Sequence, residues 1–225
     1  MIAVITGASS GLGKALADEL KDAHIIDWSK ETGVDVRDED SVMRAAKALK
    51  MVPEVLVNCA AVNEICWFSD LNPVIWDDVL NTNARGIFYT VRALMQADRM
   101  PRTIVNIISN ASHMPMTASL AYNASKGAAH IMTLQMAREF GKTHGTTVFG
   151  ISPNKLAGTN MSNYIDQRVP EVRGWTPEEA KAYQLASLPT GEETDPETLA
   201  EFIAFLLSSP QRHKFLHGTI IPYGA

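Results

Sequence analysis

Short, uninterrupted apolar runs alternate with longer amphipathic stretches along most of the chain. Ile2-Ala-Val-Ile-Thr6, His24-Ile-Ile-Asp27, Glu54-Val-Leu-Val-Asn58, Arg102-Thr-Ile-Val-Asn-Ile-Ile108, Thr146-Thr-Val-Phe-Gly-Ile151 and Gly218-Thr-Ile-Ile221 read as strands. Runs without polar alternation suit strands buried on both faces of a parallel sheet. Gly33-Val-Asp35-Val36 reads as one more short strand, third in chain order. Helical patterns lie between: Lys14–Leu20, Asp38–Lys50 with Val42, Ala45, Ala46 and Leu49 on one face, 74–99, 119–143 and Asp195–Ser208. Asn72-Pro73 opens the 74–99 helix, proline suiting the first helical position. Asn83 and Gly86 inside it are poor helix formers, so a kink or close contact is expected there. Helix-length crossovers between apolar strands give the βαβ pattern of a parallel α/β sheet. Gly33 lies only five residues after Trp28, whereas a helical crossover takes about 10–12, so the helix after the second strand is missing or reduced to a turn. From Asn154 to Gly191 the pattern breaks down, as expected of a substrate-binding lid over the sheet's edge.

Composition narrows the function classes. The 225 residues fit a single domain, 1–225. No apolar run approaches the 18 residues of a membrane span. A net charge of −5 with no basic block argues against nucleic acid or an anionic membrane as partner. The N-terminus enters a strand-like segment without a basic leader. Cys59 and Cys66 form neither a Cys-x-x-Cys pair nor a disulfide framework. A reducing, cytoplasmic setting is the expectation.

Two stretches carry chemistry. Gly7-Ala-Ser-Ser-Gly11-Leu-Gly13 lies between a strand and a helix, where glycine permits a tight turn and close backbone approach. The free N–H groups of the helix start then favour a phosphate. Asp27, twenty residues after Gly7, stands where a dinucleotide fold places a carboxylate on the adenosine ribose diol. With no cation offered by Ser10 or Trp28 to a 2′-phosphate, NAD is expected over NADP. Trp28 is a candidate for stacking beside the adenine. Further on, Tyr122 and Lys126 share one helix face. Bringing a phenol from its ordinary value near 10 to about 7 takes about 4 kcal/mol. An ammonium about 4 Å away supplies that much only at an effective dielectric near 20, so the pair is a working acid/base only in a partly closed site.

With these motifs the chain resembles the short-chain dehydrogenase/reductase family over nearly its full length. Thr6-Gly7-x-x-x-Gly11-x-Gly13 is similar to the family's cofactor loop, and Asn58-Cys-Ala-Ala61 to its Asn-Asn-Ala-Gly motif with two departures. Asn83, Ser109, Tyr122 and Lys126 fall on its Asn-Ser-Tyr-Lys tetrad. The resemblance implies a Rossmann-type doubly wound sheet of about seven parallel strands in the order 3-2-1-4-5-6-7. It implies Tyr122 as general acid/base, Lys126 lowering its pKa and binding the nicotinamide ribose, Ser109 donating to the substrate oxygen, and Asn83 holding a relay water. It also implies an NAD site built from Gly7, Ser9, Ser10, Gly11, Leu12, Gly13, Asp27, Trp28, Asp35, Val36, Asn58, Ala60, Tyr122, Lys126, Pro153, Leu156 and Thr159. Asn154 replaces the family's glycine after Pro153, and one residue is added before Thr159.

His113, Met161 and Tyr164 are the substrate-side candidates. No metal site is expected. His213 and His217 have helical spacing without a third ligand and read as a solvated segment. The 119–143 helix is apolar around much of its circumference, so it and the 74–99 helix are expected to form a homodimer or homotetramer contact. The expected activity is hydride transfer between NAD and a secondary alcohol or ketone. The alternatives are an NADP-dependent reductase of the 3-oxoacyl type and a non-catalytic dinucleotide-binding regulator.

Overall fold

The apolar runs align side by side as a six-stranded, wholly parallel sheet in the computed structural model, which describes residues 1–224. The strands are β1 (Ile2–Thr6), β2 (His24–Trp28), β3 (Val55–Asn58), β4 (Thr103–Ile107), β5 (Thr147–Pro153) and β6 (Ile220–Tyr223), in the spatial order β2-β1-β3-β4-β5-β6. Successive residues point to opposite faces, and both faces are apolar. Ile5, Val57 and Phe149 meet α1 (Gly11–Glu19) and α8 (Pro196–Leu207) through Leu12, Leu16, Leu199 and Ile203. Val4, Leu56, Ile104 and Val148 meet α2 (Glu39–Ala48), α4 (Gly86–Gln96) and α5 (Leu120–Thr143) through Val42, Val91, Leu94, Ala137 and Phe140. Helices on both faces explain why the strands read as continuous apolar runs.

The expected strand at Gly33–Val36 does not form, so the sheet has six strands rather than seven. The hop from Trp28 is too short to carry the chain back to the sheet's opposite end. Instead Lys30–Thr32 makes one 3₁₀ turn, closed by Gly33 at φ +85°. Val34 N–H donates to the Ser29 carbonyl (2.8 Å) and Asp35 N–H to Ser41 Oγ (3.2 Å), so neither is free for a sheet ladder.

The helix expected over 74–99 runs from Pro73 to Gln96 in three parts: α3 (Pro73–Leu80), a π turn (Asn81–Arg85) and α4. Asn83 and Gly86 cause the break. The Asn83 side chain leaves its helix to bond the loop after β3, and Gly86 gives Val36 room, since an added Cβ would stand 3.0 Å from Val36 Cγ2.

The 154–191 stretch is less irregular than its sequence suggests. It contains α6 (Asn160–Arg173) and α7 (Pro177–Ala186). Thr159 caps α6, and Thr176 with Glu179 forms a capping box on α7. Arg173 lies over the rings of both Trp175 and Tyr183, 4.6 and 4.9 Å from their centroids. A small core of its own holds the segment down: Ile65, Val169 and Ala180 are buried together, with Ile165, Val172 and Trp175 packed against them. His213 is not solvated: only 3% is exposed, Nδ1–H donates to the Leu206 carbonyl (2.9 Å), and Nε2 accepts from Thr103 Oγ1 (2.9 Å). No helix among the described residues is long and apolar enough to cross a membrane.

Candidate active site

A cavity of about 430 Å³ runs along the C-terminal ends of the strands, from the turn after β2 to the start of α5. The glycine loop forms its floor. Gly7 and Gly11 have φ of +70° and +51°, a region costly for other residues. A Cβ on Gly13 would stand 2.2 Å from the Gly7 carbonyl oxygen, so α1 packs against the loop only with glycine there. Ser10 precedes α1 without a side-chain cap, which leaves first-turn N–H groups for an anion. Thr6 Oγ1 accepts from both Cys59 and Ala60 N–H (3.0 Å each), locking the end of β1 to that of β3 beneath the cavity. These features fit the pyrophosphate of a dinucleotide.

At the β2 end, Asp35 and Val36 line the wall together with Trp28, which is 2% exposed, belongs to the core cluster of Val4 and Val42 and is not free to stack on a base. Asp35 takes four hydrogen bonds from Arg37, three of them from the guanidinium (Nε at 3.0 and 3.1 Å, Nη2 at 2.7 Å), and that guanidinium holds its carboxyl below the usual range. Asp27 is not part of the wall. Its Oδ2 accepts from Ser29 Oγ (3.1 Å), and its Oδ1 is enclosed without a partner. Ser29, Lys30 and Glu31, none of them anticipated from the sequence, line the cavity there. The available signal was the short hop after Trp28, which forces those residues into a turn at the rim. Ser9 Oγ donates to Glu31 Oε2 (2.7 Å), which is the main reason that carboxyl lies below its usual range.

Asn58 also departs from expectation. It is 4% exposed, and both its amide oxygen and its amide nitrogen find partners below the cavity. Thr90 Oγ1 donates to Asn58 Oδ1 (2.7 Å), Asn58 Nδ2 to Asn106 Oδ1 (2.8 Å), and Asn106 Nδ2 to Thr133 Oγ1 (2.8 Å). This buried chain ties α4 and α5 to the two middle strands. Asn58 therefore supports the floor and does not line the cavity.

Ser109, Tyr122 and Lys126 converge at the other end. Ser109 follows β4 and is buried at 8%, its Oγ accepting from Ala111 N–H (3.2 Å). Tyr122 lies in the first turn of α5, and Lys126 one turn later, with its Nζ 5.7 Å from the Tyr122 ring centroid. Asn83 stands behind them and does not line the cavity. Its Oδ1 accepts from Val62 N–H (2.8 Å), and its Nδ2 donates to the Val62 carbonyl (2.8 Å) and to Ser125 Oγ (2.9 Å). The π turn is what aims this side chain out of its helix toward α5.

The electrostatics differ from the simple pair expected. Burial pushes the Tyr122 phenol up to about 12, opposed by the Ser109 hydroxyl. Burial also pulls the Lys126 ammonium down to about 8, and its Nζ donates to the Ile107 carbonyl (3.0 Å), not to the phenol. Loss of solvent dominates both groups. Cys59, where the family has asparagine, is pushed up to about 11 by burial, so its thiol is not reactive at neutral pH.

Ala60, Pro153, Leu156, Thr159 and Met161 line the remaining wall, with Met116 and Lys155 beside them. Lys155 is tied to α6, α7 and the stretch after them, donating to Gln184 Oε1 (2.6 Å) and pairing with Glu193 (2.9 Å) and Asp166. Asn154 joins the stretch after α7 to Gly224: its Nδ2 donates to the Gly224 carbonyl (2.7 Å) and its Oδ1 accepts from Thr194 N–H (3.2 Å). His113 and Tyr164 do not reach the cavity. His113 Nδ1 meets Ser112 Oγ (3.1 Å), and Tyr164 OH donates to Glu64 (2.7 Å), pinning α6 to the loop after β3.

A family model described as short chain dehydrogenase matches residues 29–170. The acetoacetyl-CoA reductase of Paracoccus denitrificans is 29% identical, the match covering 92% of this chain and 90% of that protein. The 2-(S)-hydroxypropyl-CoM dehydrogenase 3 of Xanthobacter autotrophicus is 31% identical over 68% of this chain and 58% of its own length. Among solved structures, an actinorhodin polyketide ketoreductase variant with NADPH aligns at a TM-score of 0.85 with 25% identity, covering 98% of this chain and 94% of that one. A 4-hydroxyisoleucine dehydrogenase complexed with NADH aligns at 0.84 with 23% identity, covering 100% and 97%.

Proposed function

The chain belongs to the short chain dehydrogenase family, and from that premise we propose that it is an NAD-dependent oxidoreductase of secondary alcohols and ketones with Tyr122 as general acid/base. What carries this reading is the convergence of Ser109, Tyr122 and Lys126 at one end of a cavity whose floor is a glycine loop. Bound there, the nicotinamide supplies the hydride acceptor or donor. The chain's own groups manage the proton and the charge. The Ser109 hydroxyl donates to the substrate oxygen as charge develops on it. Tyr122 gives a proton to that oxygen in reduction and removes it in oxidation. With its value near 12, the phenol holds its proton at pH 7, the form that ketone reduction consumes. Lys126 holds the nicotinamide ribose. Asn83 fixes the loop after β3 against α5 and keeps the catalytic end in register. The α6–α7 segment is the substrate lid, with Met161 and Met116 giving the substrate end an apolar wall. Phe88 on α4 and Ile131 on α5, 50% and 61% exposed, mark the face of a homodimer or homotetramer.

The test is Tyr122→Phe. Turnover on a panel of alcohols and ketones, followed at the NADH absorbance, should fall by roughly 10²–10⁴-fold while NAD binding persists. Ordinary activity in that variant refutes the assignment. A second reading keeps the catalytic end but has it reduce a 3-oxoacyl-type carbonyl with NADPH, favoured by the acetoacetyl-CoA reductase and the NADPH-bound ketoreductase among the similar proteins. Titration with both cofactors separates the two.

A further inference from the structure

We propose that Glu31, and not Asp27, is the carboxylate that meets the adenosine ribose and turns away a 2′-phosphate; this rests on the NAD reading above. The short hop after β2 places the two carboxylates differently. Thr32 Oγ1 donates to the Asp27 carbonyl (2.9 Å), Ser29 N–H donates to Thr32 Oγ1 (3.2 Å), and Gly33 closes the turn. The turn swings residues 30 and 31 over the cavity rim while Asp27, opposite Ile5 in the sheet, stays behind the wall. From that rim Glu31 reaches Ser9 of the glycine loop (2.7 Å). It thus spans the gap between the loop that would hold the pyrophosphate and the wall of Asp35 and Val36 that would hold the base. A ribose joining the two must lie beside it.

A carboxylate at that point accepts from a vicinal diol, and it repels a phosphate carrying close to two negative charges. Lys30, on the same turn, does not offset this. Its ammonium is 4.0 Å from Asp35 Oδ2, on the adenine side. Asp27 is a poor candidate for the role, since one of its oxygens is enclosed and the other is held by Ser29.

The experiment uses the whole chain and two probes that bind without hydride transfer, 5′-AMP and adenosine 2′,5′-diphosphate, titrated by calorimetry. The wild type should bind 5′-AMP at least about tenfold more tightly. Glu31→Gln, an exposed substitution that should not move the melting temperature, should shrink that preference to under about threefold, and Glu31→Lys should reverse it. Asp27→Asn should leave it in place. A preference that survives Glu31→Gln overturns the proposal while leaving the NAD reading intact. A wild type that favours the diphosphate overturns both. If neither probe nor either dinucleotide binds, the dinucleotide site itself is refuted.

Discussion

Replacing Lys126 with methionine should stabilise the folded protein at pH 7 while abolishing its activity. The side chain is 3% exposed, and one carbonyl, that of Ile107, accepts from its ammonium at 3.0 Å. Burial brings its pKa from 10.5 to about 8. A difference of that size corresponds to roughly 3 kcal/mol against folding whenever both states carry the proton. The sign follows from the folded value lying below the unfolded one. Below pH 8 both states are charged and the whole cost is present. Between about 8 and 10.5 the folded chain releases its proton first, so wild-type stability rises with pH; above 10.5 the cost is gone. Methionine keeps an unbranched side chain of similar length and removes the charge. It leaves the Ile107 carbonyl short of a donor, worth about 1 kcal/mol. The net gain at pH 7 is roughly 2 kcal/mol, or about 4 °C in melting temperature for a chain of this length. Scanning calorimetry of both proteins at pH 7 and pH 10 reads the effect, because groups far from Lys126 contribute equally and cancel in the difference. A variant less stable than the wild type at pH 7 refutes the reasoning. So does a stability difference that is the same at both pH values.

Three further outcomes are expected. Asn83→Ala removes bonds to Val62 N–H, the Val62 carbonyl and Ser125 Oγ inside a buried π turn, so the melting temperature should drop by about 6 °C, from a loss of about 3 kcal/mol; no change would mean the turn is held otherwise. Gly13→Ala places a methyl group 2.2 Å from the Gly7 carbonyl oxygen, and titration should show dinucleotide affinity falling by more than about tenfold in any folded variant; wild-type affinity would deny the loop its role. Phe88→Asp with Ile131→Asp should lower the mass measured by light scattering to that of one chain, and an unchanged mass would place the interface elsewhere.

Where the sequence misled, local pattern had given way to contacts between distant residues. Glu31 gave no signal in the sequence because its partner, Ser9, is 22 residues away and meets it only when β1 and β2 lie side by side. Asn58 stood at a cofactor motif, yet its amide serves a chain through Thr90, Asn106 and Thr133, three residues on three other elements. α6 and α7 were hard to read because their buried set is small, Val169 and Ala180 with Ile165 and Val172 beside them, and its partners Ile65 and Trp175 lie outside both helices. Thr176-Pro-Glu-Glu179 is nonetheless a legible helix start. The distance from Trp28 to Gly33 ruled out a helical crossover, and it ruled out a parallel third strand for the same reason.

The sequence by itself determined the parallel sheet, the glycine loop and the placing of Tyr122 and Lys126 on one helix face, because strand-length apolar runs, a Gly-rich turn and a one-turn helical spacing are local properties of the chain; Ser109 came only from the family resemblance. Only the tertiary structure decided which carboxylate faces the cavity, which polar side chains are consumed in holding it open, and how strongly the buried phenol and ammonium resist ionisation. Those depend on burial and on partners far apart in sequence, and neither exists until the helices close over both faces of the sheet.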